Sequence, residues 1–191
     1  MSTNSVVAYM REDGSIVSSY VHYDGYETGV GGTLLEHYSS DELAEKVASA
    51  GYFSSLSGDM EASLSDSVHT EKSDEFEGII EFGEWLLENS HLEFGYLWTD
   101  EKWMVSSWTT TVKGVGPYAE YDSTWNEFHE LIPAYVREGR KMINRFRDIA
   151  LEGKSDYEPD VYDTMADEME VSVDKWHRIG MGEIAREVLS V

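Results

Sequence analysis

The stretch SVVAYMREDGSIVSSYVHY, from Ser5 to Tyr23, decides the fold class. Two β-rich runs flank Asp13-Gly14. That dipeptide signals a hairpin, because a tight turn needs residues that tolerate positive φ, and a type I′ turn is expected. A second pair of runs, LEFGYLWT and KWMVSSWTTTV, brackets Asp100-Glu101 and reads as a second hairpin. Its tryptophans, Trp98, Trp103 and Trp108, read as core and cross-strand packing. Two hairpins predict an antiparallel sheet of at least four strands.

Helix signals fill the space between and after them. Thr33-Leu-Leu-Glu36 has capping-box spacing and predicts a short helix. Ser39-Ser-Asp-Glu42 repeats the spacing and predicts a helix ending at Gly51. Residues 52–73, rich in Ser, Asp and Glu, read as a loop. Ser73 is a candidate cap for a third helix, with Asp74 and Glu75 in its first turn. On that helix Phe76, Ile79, Ile80, Gly83, Leu86 and Leu87 form the expected inward face, and Glu77, Glu81, Glu84 and Glu88 the outward one. After Gly114-Val-Gly-Pro117, Thr124-Trp-Asn-Glu127 again has capping-box spacing. Phe128 to Leu151 keeps helical period, with Pro133 kinking this helix or marking its true start. Residues 152–160 read as a polar connection, 159–170 as a short helix, and the segment beyond as a last helix weakened by Gly180 and Gly182. The expectation is an α+β domain over 1–122 and a helical C-terminal extension over 123–191.

Charge is the strongest global signal. The 191 residues carry 38 acidic and 14 basic side chains, a net charge of −24. Such a field repels nucleic acids and anionic membranes, so direct binding to either is not expected. It favours proteins with cationic surfaces. Solubility, or a salty habitat, accounts for the same charge without a partner. There is no cysteine, which excludes disulfides and thiolate chemistry. The apolar runs are too short to span a bilayer, and the N-terminal residues lack the pattern of a signal peptide. The six histidines show no metal-ligand spacing, and neither a metal nor another cofactor is expected.

Local chemistry concentrates just after the first hairpin. Strand alternation places Tyr20, His22 and Asp24 on one face. A histidine beside a carboxylate is suited to acid–base work near neutral pH. Tyr26 follows, then Gly29, Gly31 and Gly32 ahead of the short helix that carries His37. Free N–H groups there are suited to an anion. These eight residues are the candidate ligand site, with a small nucleotide as the ligand class. Structural readings compete with it: glycines supply turns, and tyrosines pack while keeping a hydroxyl in water. The glycine spacing fits neither the dinucleotide fingerprint nor the P-loop. Farther on, Arg137, Arg140, Lys141 and Arg147 line one helical side and are expected to pair with the acidic 77–88 helix inside the molecule, with pairing across a dimer or a phosphate-binding patch as the other options.

The run GSIVSSYVHYDGYETGVGGTLLEHY, Gly14 to Tyr38, resembles a widespread family of small proteins of tailed bacteriophages. These share a Y-x-H-W/Y-D-G-Y strand end followed by GVG-x-x-LLEHY. Tyr23 stands where tryptophan is frequent. YLWTDEKWMV, Tyr96 to Val105, is similar to their later hairpin. The likeness covers residues 5–58 well and 92–106 loosely, and leaves out the C-terminal 70 residues. It implies an accessory phage protein made in the host bacterial cytoplasm, and no particular activity.

Three functions follow as expectations. The first is a non-enzymatic acidic protein that occupies a cationic surface of a host defence or nucleic-acid-acting protein, by mimicry of nucleic acid. Its contacts would be Glu77, Glu81, Glu84 and Glu88, and an acidic stretch with Asp160, Asp163, Asp167 and Glu168. The second is a nucleotide-sequestering protein using Tyr20 to Gly32. The third is an enzyme with His22 and Asp24 as its acid–base pair. A virion component is a further alternative.

Overall fold

The computed structural model describes residues 2–67, 71–113, 120–152 and 159–189. The chain forms two compact units, Met1–Glu130 and Leu131–Val191. The first is α+β and the second is helical.

In the first unit, β1 (Ser5–Met10) and β2 (Ile16–Val21) pair antiparallel, with Met10 opposite Ile16. The hairpin stands where the sequence places it, but its turn differs. Arg11 N–H bonds Ser15 O, Gly14 N–H bonds Arg11 O, and only Gly14 has positive φ, at 86°. This is a three-residue loop with glycine in the left-handed position. The type I′ pattern occurs instead at the second hairpin, where Asp100 and Glu101 have φ of 50° and 59°. That turn joins β5 (Phe94–Thr99) to β6 (Lys102–Lys113).

The sheet is mixed rather than antiparallel. β1 runs parallel to β5, which joins the two hairpins through residues such as Val7 opposite Tyr96. Two short strands share the outer edge of β2: β3 (Tyr52–Phe53) is parallel to its end, and β4 (Asp74–Phe76) antiparallel to its start. On the far side β6 pairs with β8 (His129–Glu130) through Met104 and Val105, and with β7 (Glu120–Trp125) through Trp108 to Lys113. Thr124 and Trp125, read from sequence as a helix start, thus end a strand.

Both faces of the sheet are covered, so its central strands read as continuous apolar runs. One face carries Val6, Ala8, Ile16 and Leu97, buried with Phe76, Phe82, Leu86 and Leu92. Phe82 and Leu86 belong to α4 (Ile79–Glu88). The other face meets α1 (Gly32–His37) and α2 (Asp41–Ala48). There Trp98 Nε1 donates to Asp41 at 2.7 Å, Trp103 Nε1 to Tyr38 O at 3.2 Å, and Ser19 Oγ to Ala48 O at 2.8 Å. Trp98 and Trp103 are buried and face each other across the strands, rings at 69°. Arg11 reaches Glu45 of α2 and Glu75 of β4 from the first turn, at 3.4 and 3.2 Å.

Other elements depart from the sequence reading. The segment read as a loop holds β3 and α3 (Met60–Ser65), which Asp59 caps by accepting from Ala62 N. Ser73 does not begin a helix; residues 74–76 enter the sheet, because Phe76 buries against Phe82 at 5.2 Å.

In the second unit α5 (Leu131–Glu152) and α6 (Pro159–Leu189) pack along each other. Tyr135 meets Ser172 at 2.8 Å and Phe146 meets Tyr162 at 6.3 Å, so they run antiparallel. Pro133 lies in the first turn of α5, where its missing N–H costs nothing, and so marks a start rather than a kink. Gly139 sits where the helices touch: a Cβ there would collide with Val173. α6 is one helix where two were expected. No helix among the described residues is long and apolar enough to cross a membrane.

Candidate functional site

β2 ends at Val21, and the chain then follows β3. His22 N–H bonds Phe53 O and Tyr23 N–H bonds Ser54 O. Asp24 takes a left-handed φ of 59°, and the chain turns at Gly25. Gly25 packs on the start of the chain, where a Cβ would lie 2.7 Å from Thr3 O. Tyr96 Oη, fully buried, donates to Gly25 O at 2.8 Å.

The glycine-rich segment is helix rather than an open loop. Glu27–Gly31 forms a π-helical turn that runs directly into α1. Its N–H groups are engaged: Gly29 bonds Tyr26 O at 2.9 Å, Val30 bonds Asp24 O at 2.8 Å, and Gly31 bonds Tyr26 O at 3.4 Å. Gly32 N–H bonds Gly29 O. The donors expected to face an anion therefore point at carbonyls. Gly29 is required for closeness, since a Cβ there would strike Asp24 O.

The polar side chains divide into separate groups. Tyr20 Oη and His22 Nδ1 share a hydrogen bond at 3.1 Å. The Tyr20 ring stacks on Tyr52 at 5.3 Å and lies 5.9 Å from His91. It also packs against the α4-side core. Burial, with Tyr52 and Glu71 nearby, pushes its hydroxyl up to about 12. Asp24 is exposed, and its carboxylate accepts from Tyr26 Oη at 3.4 Å. Among the described residues His22 and Asp24 form no ion pair. Tyr20 and His22 stay side by side, but the left-handed φ of Asp24 breaks the strand alternation that would have put its carboxylate on the same face. His37, exposed on the last turn of α1, lies over Gly58 and edge-on to Tyr38. No group of three or more His, Asp or Glu among the described residues is arranged to hold a metal.

The acidic candidates differ in their surroundings. Glu77, Glu81, Glu84 and Glu88 are all exposed, and none forms an ion pair among the described residues. Glu81 Oε2 accepts from Glu77 N at 2.6 Å, which closes the start of α4. Asp163, Asp167 and Glu168 are exposed on α6, and the side chain of Asp160 lies outside the described residues. Arg147 neutralises part of that helix, reaching Asp167 at 3.6 Å and Glu170 at 2.6 Å. Arg137 and Lys141 both pair with Glu138 of their own helix. The basic side of α5 thus finds its described partners within the helical unit.

The sequence reading missed one part of the α4 surface. It placed Ile79, Ile80 and Leu87 inward. They are 46%, 77% and 54% exposed, and the buried stripe is Phe82 and Leu86, with Trp85 stacked on Phe82 at 6.2 Å. α4 is apolar on two sides, so one stripe had to remain outside. The presence of Phe82, Trp85 and Leu86 at i, i+3, i+4 was the signal. Beside this stripe lies a cleft of about 570 Å³, lined by Met10, Ile79 and Ile80 and edged by Glu77, Glu81 and Glu84. A second, polar cleft of about 690 Å³ is lined by Ser49, Glu71, Lys72, Ser73, Asp74 and Glu75. Burial, and then Glu71, raises the Asp74 carboxyl. Neither cleft is lined by Tyr20, His22, Asp24 or Tyr26.

Comparison with known proteins adds no assignment. No family model, curated protein or solved structure matches this chain.

Proposed function

We propose that this is a non-enzymatic binding protein, an acidic accessory protein of bacteriophage type. In this reading it docks on the cationic surface of a host nucleic-acid-acting or defence protein and inhibits it. The observation that carries the reading is the outer side of α4. Glu81, Glu84 and Glu88 stand there exposed, with Glu77 just ahead of the helix, and no cation of the described chain is paired to any of them, beside apolar side chains that water must otherwise solvate. Elsewhere the chain neutralises part of its own charge, as Arg147 does on α6.

The alternatives have weaker support. An acid–base pair needs His22 and Asp24 in contact, and an anion cradle needs free N–H groups at Gly29 to Gly32. Neither arrangement is present among the described contacts. Mimicry of a whole duplex is also poorly matched by α4 alone. Its helical carboxylates, Glu81, Glu84 and Glu88, recur every three or four residues, about 4.5–6 Å along the axis, whereas duplex DNA carries one charge per about 1.7 Å. The row suits a basic protein segment better.

The test is capture from a bacterial lysate at low and at high salt, with the retained proteins identified. A basic protein that is held at low salt and released at high salt is the expected result. Retention indifferent to salt, or a set of partners with no cationic surface, rejects the reading.

A further inference from the structure

The α4 surface carries shape as well as charge. Ile80 and Leu87 lie two turns apart on the outer side of the helix, about 10.5 Å along its axis. Gly83 stands between them, and a Cβ added there would meet nothing within 4 Å. No packing inside the chain therefore calls for glycine at this position, although glycine weakens a helix interior. Its absence of side chain leaves the helix backbone open to close approach. At the start of α4 the stripe continues into the 570 Å³ cleft, whose apolar floor includes Met10 and Ile79. The cleft is open to solvent, so a side chain projecting from a partner can enter it. Carboxylates border the stripe along its length.

We infer that this cleft and stripe seat a basic amphipathic helix of a partner protein. An incoming helix with apolar residues at i, i+3 or i+4, and i+7 repeats the spacing from Ile80 to Leu87. Its flanking Lys or Arg residues then reach Glu77, Glu81, Glu84 and Glu88. Charge selects this occupant over others. A second copy of the chain would set four glutamates against four glutamates, and an anionic bilayer or nucleic acid is repelled by the same groups. The inference rests on the acidic-docking reading and specifies how the partner is held.

The experiment uses two synthetic peptides of equal length and charge. One places leucine at helical spacing among lysines, and the other has serine in place of each leucine. Binding to the full chain is followed by fluorescence anisotropy, for the wild type and for Ile80→Ser, Leu87→Ser and Glu81→Lys/Glu84→Lys. These positions are exposed, and circular dichroism verifies the fold of each variant. The leucine peptide is expected to bind at least tenfold more tightly, and to lose about tenfold with Ile80→Ser, the scale of one buried apolar side chain. Glu81→Lys/Glu84→Lys is expected to weaken both peptides, and added salt to do the same.

Equal binding of the two peptides, or an Ile80→Ser variant indistinguishable from wild type, overturns the helix seat. If salt-sensitive binding through the glutamates persists in that case, the broader docking reading stands. If neither peptide binds at low salt, both readings fall. A concentration-dependent dimer that Ile80→Ser dissolves would assign the stripe to a second copy and also overturn the inference.

Discussion

Tyr96→Phe tests how the glycine-rich corner is held. The Tyr96 side chain is fully buried, and its hydroxyl donates to Gly25 O at 2.8 Å. The Tyr96 hydroxyl oxygen in turn accepts from Gly31 N–H. Burial, and then the charge of Glu27, holds this phenol well above its ordinary range, so it is a neutral donor at any ordinary pH. Phenylalanine keeps the ring and removes only the hydroxyl. Gly25 O is left buried without this donor, while Gly31 N–H retains only the long bond to Tyr26 O. A lost hydrogen bond of net value about 1 kcal/mol, with the desolvation of an orphaned carbonyl, gives about 2 kcal/mol of destabilisation. In urea, with a slope of roughly 2 kcal/mol/M, the midpoint should fall by about 1 M at unchanged slope. Tryptophan fluorescence follows the transition through Trp98 and Trp103, both buried in the same sheet. A shift below about 0.2 M would refute the idea that the hydroxyl pins the corner.

Other outcomes follow from single positions. Gly83→Ala should raise stability by about 0.5–1 kcal/mol in the same assay, because it improves helix propensity where a methyl group meets nothing. Glu101→Gly should stabilise by a few tenths to about 1 kcal/mol, since it relieves a left-handed residue at φ 59° while adding unfolded-state freedom. The Tyr20 hydroxyl is raised from 10.0 to about 12 by burial. A raised pKa keeps the neutral form in the folded state, so its stabilisation is complete below 10 and is lost as pH rises through about 12. Alkaline unfolding should therefore be less steep over that interval in Tyr20→Phe, and an unchanged profile would deny the group this role.

The parts of the fold that were legible in the sequence are those set by neighbours along the chain. Both hairpins are written in adjacent residues, whereas Pro133 allowed either a kink or a start and only the structure puts the beginning of α5 at Leu131. The seam between β1 and β5 is not, because it joins Val7 to Tyr96 across most of the first unit and parallel pairing has no turn signature. The short strands β3 and β4 were hidden for the same reason, since only the edge of β2 makes them strands. At the candidate site, the glycine segment was visible but its conformation was not. Four N–H groups that looked free in sequence are satisfied by Asp24, Tyr26 and Gly29. The outer stripe of α4 was misread because its two apolar sides are equivalent until the position of the sheet is known.

The central claim is that the position of the α4 carboxylates, rather than the net charge of −24, holds a cationic partner. The most direct measurement compares two variants that each lose four negative charges. One is Glu77→Gln/Glu81→Gln/Glu84→Gln/Glu88→Gln, and the other is Asp163→Asn/Asp167→Asn/Glu168→Gln/Glu170→Gln on α6. Each is tested for retention of the captured basic protein across a salt gradient. The account predicts release at markedly lower salt for the α4 variant, with the α6 variant close to wild type. Equal weakening of both would mean that charge alone does the work, and retention unchanged in the α4 variant would contradict the account.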